Sequence, residues 1–120
     1  MSHDHSPEAF RKGREAANET VMKYAGLGMK RFFALDTQAY SDGALPKKTK
    51  ELLGLTASFV LRCDDCILYH LIQCVEAGFT DDEIEEALHI GLLVGGSITI
   101  PHLRRALKSL DEMHSGGPNE

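Results

Sequence analysis

Apolar and polar positions along this chain recur at helical spacing, and no stretch keeps the strict alternation of a half-buried strand. The segment SPEAFRKGREAANETVMKYAG predicts a first helix, with Ser6 as N-cap, Pro7 at the first helical position and Glu8 in the first turn. Phe10, Ala17, Val21 and Tyr24 share one stripe, and Gly26 and Gly28 are expected to break it. LGMKRFFALDTQAYSDG predicts a second helix that ends near Ser41 to Gly43. LPKKTKELLGLTASFVLR starts a third at Pro46, with Leu52, Leu55, Phe59 and Leu61 or Arg62 turned inward. DDCILYHLIQCVEAG opens on two acids and stops at Gly78. Thr80 and Glu83 have the spacing of a capping box at the head of the next helix. In ITIPHLRRALKSLDEMH, Pro101 is tolerable only in the first turn, so Ser97 or Thr99 is the expected cap.

The expected fold is therefore all-α: a single compact domain over residues 1–120, with five to six helices and short connections. Residues 1–5 and 115–120 are expected to be flexible. The stretch HIGLLVGGSITI, 89–100, is small and apolar on several sides. Such a helix is either central or at a subunit interface, which favours a homo-oligomer.

Composition narrows the function classes. A chain of 120 residues affords one core of modest size, and 42% hydrophobic with 26% charged residues excludes a disordered chain. The net charge of −5 argues against a nucleic-acid partner, which needs a basic stripe. PKKTK at 46–50 and LRRALK at 103–108 read as solvated helix faces. No apolar run reaches the roughly 18 residues that span a bilayer, so no membrane partner is expected. The start MSHDHSPEAF lacks the basic and apolar regions of a signal peptide, and a cytoplasmic location is expected. Three cysteines, an odd number, make no disulfide framework. In a reducing compartment, closely spaced cysteines are more often catalytic, redox-sensing or metal-binding.

Those cysteines lie in LRCDDCILYHLIQC, residues 61–74. On an ideal helix with Cys63 at the origin, Cys66 falls near ~−60°, His70 near ~−20° and Cys74 near ~+20°. Cys66 and His70 are four apart and so are surface neighbours, a thiol beside a base. Cys63 and Cys66 sit in or near a first turn, where the helix end favours a thiolate and the spacing permits a disulfide. Asp64 and Asp65 oppose the thiolate unless they point to solvent or cap the helix. Glu51, on the side of Leu55, is a second candidate base; in an antiparallel helical hairpin turning near 62–64 it lies slightly beyond the level of His70, within reach of a long side chain or one water. From the residues alone, a redox pair, a zinc site through Cys63, Cys66 and His70, and purely structural cysteines all stay open, as do a satisfied buried His70 and a solvated Glu51. Cys74 reads as core. His89 and His102 read as packing or interface residues, and His3, His5 and His114 as side chains without a specific role.

Glu51, eleven residues, Cys63, two residues, Cys66, three residues, His70: this pattern resembles the alkylhydroperoxidase D-like branch of the carboxymuconolactone decarboxylase family. The flanking CDDCILYHLIQCVEAGFTDDEIEEAL looks like that family too, and the similarity covers roughly residues 40–110. The resemblance implies an all-α fold with the cysteine pair at the start of a central helix, often assembled as trimers or hexamers. It implies an enzyme that reduces hydroperoxides or disulfides through a dithiol–disulfide cycle, with no cofactor and no metal. By matching position, Cys66 attacks the peroxide, Cys63 protonates the leaving oxygen and resolves the sulfenic acid, and His70 and Glu51 relay protons. The electron donor is a thiol or dithiol, in some members a lipoyl-bearing protein. One departure is Asp65, where some members carry a histidine. Two other functions compete: a lactone decarboxylase like the family's name-giving members, which need no such pair, and a non-catalytic redox-sensing oligomer.

Overall fold

The computed structural model describes residues 6–115. The expectations for residues 1–5 and 116–120, His3 and His5 among them, lie outside the described residues. Six α-helices and one 3-10 turn follow in order: α1 Pro7–Tyr24, α2 Leu27–Ala39, α3 Lys47–Val60, α4 Asp64–Glu76, α5 Asp81–Gly95, the 3-10 turn Ser97–Thr99, and α6 Ile100–His114. The described residues contain no strand, and the fold is all-α. The chain divides into two compact units, Met1–Lys47 and Lys48–Glu120.

In the first unit, Ser6 caps α1 by accepting the Ala9 N–H at 3.1 Å, with Pro7 and Glu8 in the first turn as the sequence leads one to expect. Gly26 takes the N-cap of α2, but Gly28 lies inside that helix instead of breaking it. Glycine costs a helix only about 1 kcal/mol, and nothing here demands a left-handed backbone. The second helix stops at Ala39, short of Ser41–Gly43, because the Ser41 N–H and hydroxyl both turn back to the Gln38 carbonyl. Neither helix has a buried residue, so the stripe of Phe10, Ala17, Val21 and Tyr24 is not a core stripe.

The second unit holds the core. Leu55 and Phe59 of α3, Ile67, Leu71 and Cys74 of α4, Ile84 and Leu88 of α5, and Ala106 and Leu110 of α6 form one buried cluster. Leu61 and Arg62, expected to turn inward, are exposed because α3 ends at Val60 and the helical spacing ends with it. The exit from α3 satisfies its last carbonyls with two backward bonds, Arg62 N–H to Phe59 and Cys63 N–H to Ser58. This six-to-one, five-to-two arrangement needs a left-handed residue, and Arg62 supplies it at φ 60°. The same arrangement ends α4, where Gly78 at φ 93° serves and Phe79 bonds back to Cys74. The capping box of Thr80 and Glu83 forms in full at the head of α5. α6 departs from expectation: Thr99 stands at its N-cap but donates its hydroxyl to the Gly96 carbonyl instead, at 2.8 Å.

Helices α3 and α5 touch closely at Gly91. A β-carbon there would lie 2.6 Å from the Phe59 ring and 3.5 Å from the Thr56 methyl. Gly91→Ala is therefore expected to destabilise the fold by about 1–3 kcal/mol, since Phe59 has no exposed side to move toward. Thermal or denaturant unfolding checks it, with Gly78→Ala losing stability through its backbone instead.

Candidate functional site

Helix α4 sorts its residues by face. Ile67, His70, Leu71 and Cys74 fall at helical spacing and are buried, while Cys66 is exposed. Helix α3 does the same with Glu51, Leu55, Ser58 and Phe59. The stripe that places Leu55 in the core thus carries Glu51 inward, and the stripe that places Leu71 and Cys74 carries His70. The two meet directly: His70 Nδ1 lies 2.8 Å from Glu51 Oε1, with no gap for the bridging water considered from the sequence. Glu51 is 2% exposed and His70 9%. With Glu51 ionised its carboxylate can only accept, and Nδ1 carries the proton and donates it. In the neutral ring Nε2 then holds the lone pair. The Tyr69 ring stands edge-on to that imidazole, with centroids 5.1 Å apart.

The cysteine pair sits at the other end of the first turn. Cys63 is the N-cap of α4 and Cys66 its third residue, so the ideal-helix angle assumed for Cys63 does not hold: its φ is −99° and ψ 99°. The two sulfurs are in disulfide contact, with Cα atoms 5.3 Å apart. The Cys66 N–H points at the Cys63 sulfur at 3.4 Å, as it would at a capping oxygen. A thiolate at Cys63 would therefore receive a backbone N–H and the positive end of the helix. His70 stands one turn beyond Cys66 on the same helix.

Cys74 is the free cysteine of the three, fully buried. Burial first, and the charge of Glu51 second, push its thiol from 9.0 up to about 12. It is expected to stay unalkylated in the folded, reduced protein at pH 8, while Cys63 and Cys66 react; thiol counting with and without denaturant checks this. The raised value stabilises the fold fully below about pH 9, and that contribution is lost as pH climbs toward 12.

Sequence reasoning missed the contacts of Asp64. This residue opens α4, and its carboxylate is held by two residues of α6: His102 Nδ1 at 2.7 Å and Arg105 Nη1 at 3.0 Å. His102 is thus more than packing, and Arg105 more than a solvated face. The signal available was the spacing of His102 and Arg105 by three, which puts both on one side of α6. His114, to which the sequence assigned no role, makes a matching contact with Asp81 at the start of α5, 2.6 Å through Nε2. His89 is exposed. Among the described residues no three His, Cys, Asp or Glu side chains are grouped to hold a metal ion.

The profile of the carboxymuconolactone decarboxylase family matches residues 27–109. An uncharacterised protein from the cox locus of Paracoccus denitrificans is 33% identical over 82 residues, 68% of this chain and 74% of its own. A Thermotoga maritima protein of known structure is 54% identical, covering 94% of this chain and 99% of its own with a TM-score of 0.89. A second structure of that same protein, 55% identical over 92% of this chain and 94% of its own, has a TM-score of 0.86. It is described as a carboxymuconolactone decarboxylase family protein with possible involvement in antioxidative response. A Legionella pneumophila protein of the same family is 28% identical, covers 88% of this chain and 95% of its own, and has a TM-score of 0.79.

Proposed function

Because this chain belongs to the carboxymuconolactone decarboxylase family, we propose that it is a thiol-dependent peroxidase that reduces hydroperoxides through a dithiol–disulfide cycle of Cys66 and Cys63. The observation that carries this reading is an exposed Cys66 in disulfide contact with Cys63, one helical turn from a buried, hydrogen-bonded His70–Glu51 pair. The possible antioxidative involvement given for the Thermotoga maritima relative supports it.

In the reduced protein His70 takes the Cys66 proton, and the thiolate attacks the distal oxygen of ROOH. The S–O bond forms as the O–O bond breaks, leaving Cys66 as sulfenic acid and RO⁻, which takes the Cys63 proton to become ROH. The Cys63 thiolate, at the N-cap, then attacks the Cys66 sulfur. The S–S bond forms as hydroxide leaves, and hydroxide recovers from His70 the proton first taken. The sum is two thiols and ROOH giving disulfide, ROH and water. Glu51 holds the imidazole in the tautomer that can accept a proton at Nε2 and stabilises it once charged. An external dithiol, a lipoyl-bearing protein being the candidate drawn from the family resemblance, exchanges with the disulfide and returns the pair to the reduced state.

A reducing compartment such as the cytoplasm would supply that donor. No helix of the described residues is long and apolar enough to cross a membrane. A homo-oligomer, a trimer or hexamer by the same resemblance, belongs to this proposal; Ile90, Leu93, Val94 and Ile98 are each more than half exposed, apolar side chains that a second copy could cover.

The test is turnover. Catalytic amounts of the protein, given excess dihydrolipoamide, are expected to consume cumene hydroperoxide many times over, with one disulfide of the donor formed per peroxide. Consumption no faster than the donor alone achieves would refute the proposal.

A further inference from the structure

Asp64 lies next in sequence to Cys63, inside the CxxC loop and at the positive end of α4. A bare carboxylate there opposes thiolate formation at both cysteines and competes with them for the helix end. Yet its two oxygens are taken up separately, Oδ1 by His102 Nδ1 at 2.7 Å and Oδ2 by Arg105 Nη1 at 3.0 Å. Both partners are donors, so the 3.4 Å approach of Arg105 Nη1 to His102 Nδ1 reflects their convergence on one carboxylate and not a bond between them. His102 is mostly covered, its side chain 19% exposed, while Arg105 is 61% exposed. Neither residue belongs to the proton relay.

We propose that His102 and Arg105 are positioning residues that act through Asp64, drawing its charge toward α6 and neutralising it, so that the cysteine pair keeps a reactive thiolate. The inference deepens the peroxidase reading and rests on it for its biological purpose. Other charged groups near the pair do not serve this end. Among the described residues no ion pair ties Asp65 or Arg62, both exposed, to a neighbouring helix, and Glu51 and His70 are engaged with each other in the core. The device also accounts for how the site can carry acids between its cysteines: one faces solvent and the other is tied to α6.

The experiment measures alkylation of the reduced protein by iodoacetamide as a function of pH, in the parent, Arg105→Gln, His102→Ala, Asp64→Asn and the double variant Arg105→Gln with Asp64→Asn. Buried Cys74 contributes nothing to the fast phase. Arg105→Gln is expected to slow alkylation near pH 7 by about three- to tenfold, through an upward move of the profile by roughly half to one pH unit. His102→Ala moves it the same way. The double variant is expected to return to the parent rate or exceed it, because the charge that Arg105 masks is gone. A purely mechanical tether between α4 and α6 has the opposite signature, since Asp64→Asn weakens the tether again. Parent-like alkylation in Arg105→Gln, whose exposed side chain leaves the core untouched, would overturn the proposal. So would a double variant as slow as Arg105→Gln alone. Neither readout uses peroxide, so failure of the peroxidase reading would show in the turnover assay and not here.

Discussion

Cys66→Ser is expected to abolish reaction with hydroperoxide, by about a thousandfold or more, while Cys63→Ser keeps a single stoichiometric oxidation and then stops. The asymmetry follows from position. Cys66 is exposed, follows the helix end and lies one turn from His70, so its loss removes the attacking sulfur and leaves a hydroxyl that does not ionise at neutral pH. Cys63 is half-buried at the N-cap, and its sulfur already faces the Cys66 N–H. Without it, the sulfenic acid on Cys66 has no resolving thiol, because Cys74 is buried and its thiol is pushed up to about 12. Serine at an N-cap is a good acceptor, so Cys63→Ser is expected to fold at least as well as the parent. Dimedone labelling after one equivalent of peroxide should mark Cys66 in Cys63→Ser and nothing in Cys66→Ser. Labelling of Cys63 in Cys66→Ser would reverse the two roles.

Glu51 gives the second large effect, and two substitutions separate its parts. Glu51→Ala leaves the Nδ1–H of a 9%-exposed His70 without its acceptor and opens a hole where a 2%-exposed side chain stood; a loss of about 2–4 kcal/mol of stability is expected, together with loss of activity. Glu51→Gln keeps the shape, and its side-chain oxygen can still accept from Nδ1, so the fold should lose no more than about 1.5 kcal/mol. What the amide cannot do is stabilise the imidazolium that forms when His70 takes the Cys66 proton. The bimolecular rate with peroxide is therefore expected to fall by about a hundredfold in a well-folded Glu51→Gln protein, within the range of acid–base contributions. Stopped-flow oxidation and denaturant unfolding on the same samples measure both. Parent-like rates in Glu51→Gln would remove the carboxylate from the mechanism.

Much of this arrangement was legible before the structure, for physical reasons that differ by residue. Thr80 with Glu83, and Gly78 after α4, are punctuation that depends on side-chain chemistry a few residues away, so spacing alone reveals them. Glu51 and His70 were legible because each shares a face with residues that must be buried. Arg62 was not. A reversal near 62–64 is expected from the sequence, but the left-handed backbone of Arg62 at φ 60° is a conformation that glycine usually marks, and an arginine there does not show which residue makes the turn or that Cys63 becomes the N-cap. The clamp on Asp64 was illegible for another reason: it joins residues 38 and 41 positions apart, and only the packing of α6 on α4 brings them together. The stripe over α1 shows the limit of such a reading, since periodicity reports which residues share a face and not whether that face is buried.

The central claim is that Cys63 and Cys66 are a peroxide-oxidised pair. Its most direct test is intact mass with free-thiol counting on reduced, metal-stripped protein given one equivalent of hydroperoxide. The expected result is loss of two hydrogens and two thiols, mapped by peptide analysis to a Cys63–Cys66 disulfide, with Cys74 still free. Three surviving thiols with the peroxide unconsumed would contradict the account.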